Sequence, residues 1–564
     1  MPVNPSLAKL RLYWETVRHL RAVQIYSRLL FRLSRPVPDT RPPPPLRSLA
    51  ERWAHPAARR QSLFGEDAFR FLNETHELSR CGWDDASISK LWLYNLHYFD
   101  DLNASGAGGR TALHRTLIAR WIAENPPGRG TGWEPYPVSL RIVNWIKWAL
   151  AGNALPPDAV HSLAVQARWL TRRLEYHLLG NHLFANAKAL VFAGCFFQGD
   201  EAEAWRKRGL DIIERELPVQ VLPDGGHFEL STMYHALALE DMLDLINVAR
   251  CFGNGLVDRA AERAARVAAM REWLAAMCHP DGEIAFFNDA AIGIAPTPAE
   301  LEGYATRLGF PERSAGENRL RRLRDSGYIR IDDGCAAAML DVAPIGPDYL
   351  PGHAHADTLS FELSVGGHRV LVNSGTSVYG TGAERLRQRG TAAHNTVVVD
   401  GQDSSEVWSG FRVARRAHPL DLVVLDNDGV SVTCAHDGYE RLPGAPRHRR
   451  NWLMRDGTLT VADEISGPPG QAAACFHFHP DVTPSIGADG RAGAVSRGAD
   501  GVLLWHVDKG QARLEASTWH PEFGMSIPTH CLVVDLAEGE SRIAFSWNGA
   551  SLNNASWNDV FLGR

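Results

Sequence analysis

Several short motifs in this chain of 564 residues carry groups able to hold a metal or move a proton. The first is Gly352-His353-Ala354-His355-Ala356-Asp357. In an extended segment side chains alternate, so His353, His355 and Asp357 project to one side. Two imidazoles and a carboxylate on one face suit a metal site or proton transfer. The pattern is not decisive alone: with 23 His a His-x-His arises by chance, and His477 and His479 form a second. Asn181-His182 stands at the joint between two helical runs. Asn there is an ordinary N-cap, but an amide and an imidazole at a helix N-terminus also make a natural holder for a carboxylate. In Gly226-His227-Phe228-Glu229-Leu230-Ser231-Thr232-Met233-Tyr234-His235, Ser231 is placed to cap a helix. Tyr234 and His235 then fall in its first turn, where the backbone dipole favours an ionised Tyr.

Other groups suit ligand recognition. The stretch from Thr131 to Arg141 is rich in aromatic and charged groups, of which Trp133, Tyr136 and Arg141 can stack on sugar rings and pair with acidic substituents; Trp145 and Trp148, at helical spacing, read as core. Later in the chain His355, Asn373 and His394 are residue types that bind a divalent ion, provided adjacent strands bring them together, and Arg385, Arg387 and Arg389 lie between the last two.

These motifs need elements to position them. Residues 7–34 read as helix and the Pro-rich run 35–46 as a stiff connector. From about 47 to 320, apolar residues recur at three- and four-residue spacing in successive runs separated by Gly-, Pro- or Asp-bearing joints, the pattern of antiparallel helix pairs. Two joints, VLPDGGHFE and CHPDGEIAFF, are alike and predict a toroid or solenoid of repeated hairpins. Past Ser326 the chain turns to short β-branched runs bounded by Gly, Asp and Asn, the texture of an antiparallel sandwich. The predicted organisation is multidomain α + β: an N-terminal helix and connector (1–46), an incomplete (α/α) toroid (47–322) and a C-terminal antiparallel β-sandwich (323–564).

Composition narrows the function. A net charge of −6 argues against non-specific nucleic-acid binding, which needs a basic footprint. Eight scattered Cys without a CxxC pair read as free thiols in a reducing compartment. No run of 18 apolar residues predicts a membrane span. The Arg-rich start is a poor secretory signal, so the expected location is the cytoplasm; its amphipathic character suits a helix docked on the next domain or lying on a membrane surface.

Taken together, Asn181-His182, PDGGHFELSTMYH, GHAHAD, VNSGTSVYG and TAAHNTVVVDG resemble the heparinase II/III family of polysaccharide lyases, in the family's order. LWLYNLHYFDDL is more like intracellular bacterial members linked with surface polysaccharides. The resemblance implies a cleft between toroid and sandwich and β-elimination at a hexuronic acid of an acidic polysaccharide. Such a reaction needs the substrate carboxylate neutralised, a base for the C5 proton and an acid for the leaving O4. Asn181 and His182 fit neutralisation; Tyr234 fits the acid, and the base too in one stereochemistry; His353 fits the base in the other. Trp133, Glu134, Tyr136, Arg141, His235 and Arg389 are the expected substrate contacts. By the same resemblance His355, Asn373 and His394 would hold a divalent ion, zinc or manganese, with no organic cofactor. Asn373 departs from the family's usual Asp, which lowers the charge available to the ion. Alternatives are a uronate C5-epimerase, a glycoside hydrolase built on Glu134, Asp224, Glu229 or Asp281, and a non-catalytic polysaccharide-binding or assembly factor.

Overall fold

The computed structural model describes residues 5–253, 260–313, 318–467 and 470–547. Its helical half is assembled from runs whose starts are set by residues that satisfy or dispense with the first N–H groups. Ser89 caps Lys90–Tyr98 through Trp92 N, Thr297 caps Pro298–Arg307 through Glu300 N, and Pro opens Pro135–Leu150 and Pro157–Thr171, where a missing N–H costs nothing. Gly180–Phe196 is apolar and buried almost all round, as befits a helix enclosed by others. It packs against Pro135–Leu150, Asp200–Gln220 and Thr232–Phe252. Its N-terminal end is the part left open.

The two Pro-Asp-Gly joints are structural repeats. Each closes with an isolated antiparallel bridge, Val221 to His227 in one and Cys278 to Ile284 in the other. Each also clips the toroid to the strands beyond it. Asp224 Oδ2 accepts from Ser326 N at 2.8 Å and Asp325 N at 2.9 Å, while Asp281 pairs with Arg369 at 2.7 Å. The Asp residues that open as candidates for hydrolysis are thus joinery.

The second half holds, among the described residues, three large antiparallel sheets and a two-stranded ribbon of Val407–Trp408 with Arg412–Val413. Five strands run in chain order from Leu320–Leu323 to His368–Leu371. Val397–Val399, Ala472–His477, Ile527–Asp535 and Gln511–Trp519 form a second sheet. Eight strands, from Pro419–Asn427 at one edge to Thr483–Pro484 at the other, form the third. Val and Ile alternate inward along these strands, and one apolar core holds side chains of all three sheets. Stacking of Trp519 on Phe286 at 5.8 Å joins this half to the helical core.

The N-terminal run forms two helices, Pro5–Val17 and Ala22–Leu33, docked along one side. Tyr13 packs on Trp408 at 4.9 Å, and Arg173 stacks on Phe31. Their outer face leaves Leu7, Trp14, Leu29 and Leu33 exposed. No helix among the described residues is long and apolar enough to cross a membrane.

Candidate active site

The open N-terminus of Gly180–Phe196, the start of Thr232–Phe252 and the 352–357 stretch meet at the junction of toroid and sandwich. Three residues there hold left-handed backbone without being Gly: Leu179 (φ 62°), Leu230 (φ 58°) and Asn288 (φ 56°). Such conformations cost roughly 1–3 kcal/mol each and persist where surrounding structure enforces them. Each immediately precedes or nearly precedes a residue of the cleft: Asn181 and His182, Tyr234, and Asp289.

Asn181 is not the cap of its helix, since that position is Leu179. It lies in the first turn, half-buried, with its amide uncommitted among the described residues. His182 Nδ1 is 3.1 Å from Glu175 Oε1, and Asn186 Nδ2 fixes the other oxygen of Glu175 at 3.0 Å. Burial lowers the His182 pKa, but Glu175 outweighs it and the net shift is upward. The His182 ring rests on Tyr136 with centroids 4.4 Å apart.

Ser231 caps its helix as the sequence predicts, accepting from Tyr234 N at 3.2 Å. Tyr234 stacks on His353 at 4.1 Å, and its hydroxyl meets that of Tyr379 at 2.9 Å. The expected help from the helix dipole is overruled: burial, with Tyr379 and Asp289 nearby, holds Tyr234 well above the usual phenol range. At rest its hydroxyl keeps its proton.

His353 and His355 do not divide between cleft and sandwich. Both face Asp289. Asp289 Oδ2 is 2.8 Å from His353 Nδ1 and Oδ1 is 2.8 Å from His355 Nε2, and Arg385 grips both oxygens. Burial opposes this charge, but Arg385 and the two imidazoles hold the Asp289 carboxyl well below its usual range. With a carboxylate as acceptor, His353 carries its proton on Nδ1 and presents a basic lone pair on Nε2. Asp357 serves the backbone, accepting from Asn288 N at 3.0 Å. Glu229 completes the cleft: its Oε2 is 3.9 Å from His353 Nε2, both its oxygens lack a hydrogen-bond partner, and burial raises its pKa.

The predicted metal trio is not assembled. His355 Nδ1 faces His394 Nε2 at 3.1 Å, and His394 Nδ1 faces Gly390 O at 2.8 Å. From Asp289 to Gly390 this chain has three polar contacts and needs three protons, one more than two neutral imidazoles carry. Burial nevertheless pushes His355 down to about 4 and His394 to about 3. A cation between the rings fits that deficit, but Asn373 does not join it. Its Nδ2 donates to Phe286 O at 2.9 Å and its Oδ1 accepts from Asn395 N at 3.1 Å. Two imidazoles alone are an incomplete set for a divalent ion, so no step is assigned to a metal here.

Of the expected substrate contacts, Tyr136 lies in the cleft, and half-buried Glu134 at its side is held by Tyr94 and Lys90. The others are structural. Trp133 is core, its Nε1 donating to Asn125 O. Arg141 is fully buried, bonding Gly132 O, His97 O and Gln166 and stacking on Trp121. His235 bonds Met270 O inside the toroid. Arg389 clamps Ala354 O and Gly410 O, which shapes the 352–357 stretch from beneath. Arg and Trp were read as sugar contacts because exposure is invisible in sequence. The pattern missed Asp289 and Tyr379, and singled out Glu229 only as a carboxylate for the hydrolase alternative. Glu229 and Tyr379 lie inside motifs already singled out, and Asp289 follows the second Pro-Asp-Gly joint by a few residues.

A toroid joined to an antiparallel sandwich thus brings Asn181, His182, Tyr234, His353 and Asp289 together at the junction. Residues 114–314 match the model of the heparinase II/III N-terminus and 315–548 that of the heparinase II/III-like C-terminal region. The chain belongs to the heparinase II/III family. It is 28% identical over 314 residues to a heparin-sulfate lyase of Bacteroides stercoris, covering 52% of this chain and 44% of that one, so the match spans less than half of that relative. FtsZ-localized protein C of Caulobacter vibrioides is 27% identical over 513 residues, covering 79% and 82%. A heparan sulfate lyase HepC mutant structure from Pedobacter heparinus shares the fold, with a TM-score of 0.59 and 18% identity over 93% of this chain and 88% of that one.

Proposed function

We propose that the chain is a polysaccharide lyase that cleaves a hexuronate-containing polymer by β-elimination. The observation carrying this reading is the Tyr234–His353 stack, with His353 oriented through Asp289. His353 Nε2 takes the C5 proton, the C4–O4 bond breaks as the C4–C5 double bond forms, and Tyr234 gives its proton to the departing O4. The Tyr379 hydroxyl is placed to hydrogen-bond the phenolate left behind. Asn181 and His182 meet the substrate carboxylate, on which charge builds in the transition state. Heparin-sulfate lyases among the relatives support a glycosaminoglycan-like substrate. The eight free cysteines support a reducing, cytoplasmic setting.

The test is a panel of uronate polymers followed by ultraviolet absorbance of the unsaturated product, with Tyr234→Phe as control. Absorbance with the wild type alone supports the reading. Solvent deuterium entering C5 without absorbance would instead establish a C5-epimerase.

A second reading rests on the broad match to FtsZ-localized protein C: the cleft binds a polymer without cleaving it and the chain serves an assembly with FtsZ. Polymer binding with no product on any substrate, together with co-sedimentation with FtsZ filaments, favours this one.

A further inference from the structure

One buried cluster of reactive side chains takes no part in the cleft. Cys475 and His477 stand two apart on Ala472–His477 and so share a face. His477 pairs directly with Cys531 on the antiparallel strand Ile527–Asp535, which puts Cys531 on that face too. Strand register alone therefore assembles two thiols and an imidazole. All three are buried, and one ligand atom from each lies within 4.8 Å of the others. Cys531 Sγ is 3.7 Å from His477 Nε2; sulfur and nitrogen on adjacent corners of a zinc tetrahedron are about 3.6 Å apart. Without an ion, His477 Nε2 donates to Ala392 O at 3.0 Å and Nδ1 accepts from Ser517 Oγ at 3.0 Å, so the ring takes its other tautomer when Nε2 binds a metal. A hydroxyl on the outer nitrogen is the kind of partner that fixes a metal-bound imidazole, and the carbonyl offers an oxygen beside the inner one.

We propose that Cys475, His477 and Cys531, completed by the carbonyl oxygen of Ala392, form a structural zinc site. Two thiolates and an imidazole favour zinc over calcium, magnesium or manganese. On binding, both thiols release their protons to solvent, the imidazole loses its proton from Nε2 and takes one up on Nδ1, with no net change on the ring, and Nδ1 then donates to Ser517 Oγ. No electron is transferred. With four protein donors the coordination is closed, as in structural rather than catalytic zinc sites. Ala392 sits in the turn Thr391–Ala393, which leads directly into His394. The ion thus ties that turn to the sheet beneath the Asp289–His355–His394 chain. It explains how a sandwich lacking a complete His355–Asn373–His394 set still braces this edge of the cleft.

The full chain, purified without chelator, should contain about one zinc per molecule, and Cys434→Ser, a buried cysteine in another sheet, should match it. Cys475→Ser and Cys531→Ser should each lower zinc content at least tenfold (roughly the loss expected for a ligand or its partner). Cobalt(II) taken up by the wild type should show the visible bands of a tetrahedral site with sulfur-to-cobalt charge transfer, a readout that needs no variant to fold. Wild-type protein that takes up neither metal overturns the proposal. So does zinc retained in the double Ser variant, or a Cys475–Cys531 disulfide in freshly purified protein, seen as the loss of two hydrogens by mass spectrometry.

Discussion

Asp289 Oδ2 lies 2.8 Å from His353 Nδ1, and this contact decides which nitrogen of His353 is left unprotonated. The same carboxylate neutralises the fully buried Arg385. Asp289→Asn removes the charge, lets the ring adopt the other tautomer and leaves Arg385 uncompensated. Turnover should fall about 1,000-fold or more, by analogy with other carboxylate-oriented histidines. Stability should fall by about 3–5 kcal/mol, the usual result of breaking one side of a buried ion pair. Steady-state kinetics and thermal melts read the two separately; wild-type kcat in a folded Asp289→Asn protein removes His353 from the base role.

Tyr234 bears a proton that burial and its neighbours keep in place. A donor of this kind contributes about 100- to 10,000-fold to a rate. Tyr234→Phe keeps the ring on His353 and loses only the hydroxyl, so kcat should drop by that amount while substrate affinity, measured by calorimetry, stays within about twofold. Equal loss of affinity and rate would show that the hydroxyl holds substrate and does not donate to the leaving oxygen.

The pH profile should report His182. Its pKa is raised by Glu175 against the effect of burial, so the imidazolium that meets a carboxylate is present below that raised value and is lost as pH rises through it. KM should therefore climb on the alkaline side of the ordinary His range. Glu175→Gln takes away the charge that raises the pKa, and the climb should move to lower pH. A profile unmoved by Glu175→Gln assigns the limb to another group.

Much of the cleft was legible because its parts are local. Ser231 followed by Tyr234 is a helix start, Asn181-His182 is a joint, and His353 with His355 is a two-residue period. Each can be read within a few residues. Asp289 could not, because its role depends on a loop of the toroid passing beneath a stretch of the sandwich half, and sequence spacing carries no such distance. The same blindness misread the charged and aromatic groups. Arg141 and Arg389 have the chemistry of anion binders, yet in the fold their donors are spent on buried backbone carbonyls, which sequence cannot distinguish from a phosphate or a uronate. Alternation, too, was right for the wrong outcome: His353 and His355 do point the same way, to two oxygens of one carboxylate rather than to two sites.

Glu229 gives a test that needs no substrate. Its oxygens are buried without partners in close approach to Gly180, where an added Cβ would stand 3.0 Å from Oε1. Desolvation raises its pKa, partly opposed by His353 and His182. A carboxyl whose folded pKa exceeds its unfolded value of about 4.3 loses its proton first in the unfolded chain. Stability is thereby drained as pH rises from the ordinary Glu range through the raised folded value. Glu229→Gln has no such charge to desolvate. Near pH 4 the variant and the wild type should melt alike, and by pH 7 the variant should be the more stable, by an amount set by how far the folded pKa of Glu229 is raised. Thermal melts of both proteins across that range measure the difference; a gap that stays constant with pH means that Glu229 is paired in solution, and that the cleft does not keep this carboxyl in reserve for a ligand.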